Sequence, residues 1–72
     1  PAQDMIEIRF LSALEEAVTI EVYDARGKRC QVHPNIRDQQ FKVDVSQLCA
    51  GVNYINIVSS KDVESHKVIV VK

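Results

Sequence analysis

At 72 residues, with nine basic and ten acidic side chains and a net charge of −1, the chain is a single small domain that carries no field able to steer nucleic acid or an anionic membrane. Its 46% hydrophobic and 26% charged residues separate it from the apolar-poor, charge-rich composition of disordered chains, so it is expected to fold. The longest apolar run, Val68-Ile69-Val70-Val71, is far shorter than the ~20 residues of a membrane-spanning helix.

The chain opens at Pro1 without Met, basic leader or apolar leader, which reads as a fragment of a longer secreted protein. From there the dominant signal is alternation of apolar and polar residues, the period of a strand with one buried face. Met5 to Phe10 places Ile6, Ile8 and Phe10 on one face and Glu7 and Arg9 on the other. Leu11 to Ala17 holds Ser12 and Glu15 at capping-box spacing, but it is too short to be a stable helix and is read as a loop with one helical turn. Val18, Ile20 and Val22 form the inward face of a second strand. Asp24-Ala25-Arg26-Gly27 supplies a turn, because Gly27 can take positive φ. The return strand Lys28 to Val32 is expected to turn Cys30 and Val32 inward and to break at His33-Pro34-Asn35.

Phe41, Val43 and Val45 are the core face of a fourth strand, and Ser46 to Gly51 turns the chain with Leu48 plugging the end of the core. Val52 to Val58 and His66 to Val71 form a closing hairpin across the polar stretch Ser59 to Ser65. This spacing predicts an all-β, immunoglobulin-like antiparallel β-sandwich of about six to seven short strands in one domain over residues 1–72. The last strand is apolar on both faces, which means either burial or a surface awaiting a partner. Lysines at both ends of its apolar tetrad fit the charged protection of a sheet edge.

Catalysis has little to build on. His33 and His66 can be set against Cys30 and Cys49 as thiol and imidazole pairs, but no nucleophile, metal or phosphate motif accompanies them, and the only glycines are Gly27 and Gly51. No catalytic residue, metal ligand or cofactor is therefore assigned. Two cysteines are too few for a disulfide framework; either an oxidising compartment pairs them or they stand as two half-buried thiols. Asp4, Glu7, Glu15 and Glu16 gather acidity without the alternating ligand spacing of a calcium loop. Arg26, Lys28 and Arg29 ring the first hairpin with no interleaved aromatics, so neither nucleic acid nor a small-molecule substrate is implied. What remains is surface recognition through an edge strand, with self-association by the same edges.

Four blocks in order resemble the C-terminal sorting domains of bacterial type IX secretion, over essentially the whole chain. Pro1 to Ile8 is similar to the family's opening, cut just after its Asn. Val18 to Lys28 resembles its strand, turn and Gly-Lys hairpin. Phe41 to Val52 resembles the strand that leads through a Ser-x-Leu turn to Gly-Val, and Lys67 to Lys72 the terminal Lys-apolar-Lys motif. One position departs from the pattern: the family usually places an aromatic after Gly-Val, whereas Asn53 stands there and Tyr54 follows. Alternation puts Asn53 on the face of Ile55 and Ile57 unless a bulge re-aims Tyr54.

The resemblance implies a non-enzymatic address label on a cargo protein. It passes through the periplasm, meets components of the outer-membrane type IX translocon, and reaches the cell surface or the medium. A sortase-like peptidase then removes it and anchors the cargo. Recognition is expected to use Lys67, Val68, Ile69, Val70, Val71 and Lys72, with Gly27 and Gly51 as backbone determinants. The alternative is an immunoglobulin-like binding or spacer module of a surface adhesin or enzyme.

Overall fold

Each alternating stretch becomes a strand in the computed structural model, which describes residues 5–71. The strands are β1 (Met5–Arg9), β2 (Val18–Asp24), β3 (Arg29–Ile36), β4 (Gln40–Asp44), β5 (Gly51–Val58) and β6 (Val63–Val70). They build an immunoglobulin-like sandwich of two antiparallel sheets: β1 pairs with β4, and the larger sheet runs β3-β2-β5-β6. Pro1 to Asp4, the first half of the family-like opening, and Lys72 lie outside the described residues, whereas Met5 to Ile8 of that opening fall in β1.

The core sits between the sheets and consists of Val18, Ile20, Val22, Val43, Leu48, Ile55 and Val70. Ile20 and Val22 are fully enclosed, because β2 is a central strand with a neighbour on each side and the small sheet above it. Burying a side chain of this size is worth about 1.5–3 kcal/mol, so seven of them form a thin but sufficient interior. Leu48 follows a single 3-10 turn, Val45–Gln47, and closes one end of the core at 2% exposure, as its place after the fourth strand suggests. The Asp44 carboxylate starts that turn by accepting from the Ser46 amide.

Three local expectations are corrected. First, β3 does not break at His33-Pro34-Asn35 but continues to Ile36, and Cys30 and Val32 face outward while Gln31 and His33 face in. The cause is a pair of bulges. Val18 pairs with Ile36 but Ile20 with His33, and Val22 pairs with Gln31 but Tyr23 with Arg29, so β3 spends one extra residue at each place. Asn35 absorbs the first bulge at φ 61, a left-handed conformation that asparagine tolerates. The His33 ring then lies 5.0 Å from that of Phe41, and its Nε2 is 2.8 Å from Gln31 Oε1.

Second, β6 begins at Val63, so the connection shrinks from Ser59–Ser65 to residues 59–62, closed where the Ser59 amide donates to the Asp62 carbonyl at 2.9 Å. Third, Leu11 to Ala17 contains no helical turn; its chain bends across the open side of the sandwich and leaves Leu11 fully exposed.

The β2–β3 turn follows its chemistry. The Asp24 carboxylate accepts from the amides of Arg26 and Lys28 at 2.9 Å each, and Gly27 turns the chain at φ 87. Gly51 starts β5 at φ 100. An added Cβ at either glycine meets nothing within 4 Å, so the only obstacle there is backbone conformation. Gly27→Ala and Gly51→Ala are each expected to cost about 1–2 kcal/mol, measured as a lowered midpoint in urea with unchanged slope.

Candidate functional site

The candidate recognition strand is divided in two by its own pleat. On β6, Val70 pairs with Gly51 and Val68 with Asn53; Val70 is 5% exposed in the core and Val68 is half-buried against it. The intervening residues point the other way. Lys67, opposite Tyr54, is exposed, Ile69, opposite Val52, is 65% exposed, and Val71 beyond the strand is 88% exposed. The motif therefore joins a structural half, Val68 and Val70, to a displayed half, Lys67, Ile69 and Val71. Lys72 lies outside the described residues.

β6 is also a margin of the larger sheet: β5 holds one edge, and among the described residues no strand pairs with the other over its eight regular residues. The opposite margin, β3, is broken by its two bulges and by Pro34, which has no amide to offer. Of these two margins, β6 presents the longer uninterrupted row of backbone donors and acceptors.

Asn53 answers the departure from the family pattern. No bulge re-aims its neighbour: Asn53 points into the core at 0% exposure and Tyr54 points outward at 38%. The Asn53 Nδ2 group donates to the carbonyls of Cys49, at 2.9 Å, and Gly51, at 3.3 Å. The amide thus ties down the turn that leads into β5 from within the core. Among the described residues its Oδ1 has no partner, which makes the site costly to desolvate and dependent on those two donated bonds.

On the outer face of the larger sheet, the Tyr23 hydroxyl donates to Glu21 Oε1 at 2.9 Å, and Arg29 lies 3.5 Å from the other carboxylate oxygen. That hydrogen bond, followed by burial and the negative charge of Glu21, raises the Tyr23 pKa above the usual tyrosine value; Arg29 opposes the shift. The cluster braces β2 against β3 and lines no cleft.

The remaining candidates are not brought together. Cys30 and Cys49 are free and exposed rather than half-buried, with Cys30 Sγ 3.6 Å from the Lys28 carbonyl. His33 packs on Phe41, and His66 lies 2.8 Å from Glu64. Glu7 pairs with Arg9, and Glu16 accepts from the Ser60 hydroxyl. Arg26 and Lys28 stand exposed at the hairpin tip.

Neither the comparison with curated proteins nor that with solved structures returned a match. The family comparison did: the model described as "Secretion system C-terminal sorting domain" matches residues 1–72, the whole chain, and nothing found favours a binding or spacer module. A sorting role implies contact with the type IX secretion machinery and export to the cell surface or the medium, and it points away from catalysis. With its sandwich built and its terminal strand on display, the chain belongs to the C-terminal sorting domains of type IX secretion and is a sorting signal.

Proposed function

We propose that residues 1–72 form one non-catalytic label, appended to a longer secreted protein, whose recognition by the outer-membrane translocon is read from the displayed half of β6. Lys67, Ile69 and Val71, continued by Lys72, supply the side chains, and the free edge of β6 supplies backbone groups for strand addition. Val68 and Val70 act by holding that strand to the core, and Gly27 and Gly51 by permitting the turns that flank the central strands. The observation that carries this reading is the alternation at the sheet margin, where an exposed Ile69 sits between half-buried Val68 and buried Val70. The label crosses the periplasm folded, and a sortase-like peptidase removes it when the cargo is anchored. In the absence of a translocon the same free edge offers a route to self-association.

The test is export of a reporter. Residues 1–72 are fused behind a signal peptide and a fluorescent protein in a type IX-competent bacterium, and surface and periplasmic signals are compared with and without a working translocon. Translocon-dependent arrival at the surface is expected. Deleting Val68 to Lys72 is expected to trap the reporter in the periplasm, whereas Cys30→Ser, at an exposed thiol outside β6, leaves export unchanged. Surface arrival of the deleted fusion, or arrival without a translocon, refutes the reading.

A further inference from the structure

Two strands do not cover four. Phe41 on β4 packs near His33 on β3, whereas β1 lies over the β5 side of the larger sheet, so among the described residues the inner face of β6 is left open at its start, at Glu64 and His66. The consequence is a groove of about 700 Å³ between β1, the bend that follows it, and the inner sides of β5 and β6. Its apolar walls are Ile6, Ile8, Phe10, Leu14, Ile57 and Val68, all only partly buried although they pack on the core. Glu64 and His66 share the inward face of Val68 and Val70 by alternation and line the groove, yet both are exposed.

Two further features define what fits. Among the described residues β1 pairs only with β4, so its second backbone edge runs open alongside the groove. The groove is also acidic: Glu7, Glu15, Glu16, Asp62 and Glu64 line it, against Arg9, which is paired with Glu7, and His66, which is paired with Glu64.

We infer that this groove takes an extended segment of a partner protein that adds to the free edge of β1, with apolar side chains at alternate positions facing Ile57 and Val68 and lysines or arginines meeting the acidic rim. The open edge selects a strand, since a helix leaves the β1 amides and carbonyls unanswered. The apolar walls select alternation, and the carboxylates select the charge. This site lies on the opposite face of β6 from Lys67 and Ile69, so peptide capture and export are separate readouts and either can fail without the other.

The experiment uses the 72-residue chain and a short fluorescent peptide alternating valine and lysine, with binding followed by anisotropy and mapped by amide chemical shifts. Saturable binding is expected, with shifts at Ile6, Ile8, Glu64 and Val68. It should weaken about tenfold in Glu64→Lys and on raising salt from about 0.05 to about 0.5 M. Arg26→Glu, at the hairpin tip, changes the net charge without touching the groove and is expected to bind as the parent does. The inference is overturned by equal affinity for a peptide with glutamate in place of lysine, by shifts confined to other faces, or by a concentration-dependent dimer that protects the groove and so makes a second copy its occupant.

Discussion

Val70→Asp is expected to unfold the domain, and Ile69→Asp, its immediate neighbour, to leave it folded. Val70 is 5% exposed in the same core cluster as Ile20, Val22 and Ile55, and the described side chains that make up that cluster are apolar. An uncompensated buried charge costs several kcal/mol, and even if it neutralises, a polar group replaces two methyls in a close-packed site. A sandwich of this size has only about 5 kcal/mol to lose. Ile69, 65% exposed on the outer face, gives up little burial, so its aspartate is expected to stay within about 1 kcal/mol of the parent. Circular dichroism melts of the two variants read the difference directly. In the reporter assay both should fail to reach the surface, for opposite reasons: Val70→Asp because nothing folded is presented, Ile69→Asp because the presented face is altered. Normal export of a folded Ile69→Asp fusion excludes the outer face as the recognised surface.

Asn53→Ala is expected to lower stability by about 2–3 kcal/mol. It removes both donated bonds, to the Cys49 and Gly51 carbonyls, and leaves a void at a position with no solvent access. Asn53→Asp separates the two contributions. A carboxylate nearly preserves the shape but sets negative charge against two carbonyl oxygens, so burial and those acceptors hold its pKa above the usual aspartate value. The sign follows from that shift: a proton is bound more tightly in the folded state, so the deficit relative to the parent is small below about pH 4 and grows as pH rises. Urea titrations of both variants across pH check this, and a pH-independent deficit in Asn53→Asp would mean that the Nδ2 bonds do not hold the turn.

The strands whose pairing is regular were legible from the residues alone. β2 and β4 carry clear alternation, β5 carries it apart from the inward Asn53, and Ile20, Val22, Val43 and Ile55 lie where that alternation puts them. β3 was not legible for the same physical reason: alternation counts parity, and each bulge adds one residue and flips it, so Cys30 and Val32 exchange faces with Gln31 and His33. The Pro34-Asn35 pair was the available hint, since asparagine accepts the left-handed backbone that a bulge requires. The start of β6 was hidden because Glu64 and His66 face a groove instead of a covering strand and so lack the apolar signature of an inward position.

For the candidate site, the residues indicated the strand but not its division into held and displayed halves, which depends on what lies above each face. Asn53 stood out as an anomaly in sequence, yet its partners are main-chain carbonyls that no side-chain pattern reveals.

The order β3-β2-β5-β6 also sets when the label comes into being. Its central pairing joins Thr19 to Val58, its small sheet joins Met5 to Asp44, and the final hairpin contributes Val70 to the same interior. Contacts so distant along the chain close late, and a ribosome that stops short of β6 releases a polypeptide whose interior cannot be completed. A folded label therefore requires synthesis to have passed β6, and a polypeptide cut short before Val70 lacks the strand that closes the larger sheet and fills part of the interior.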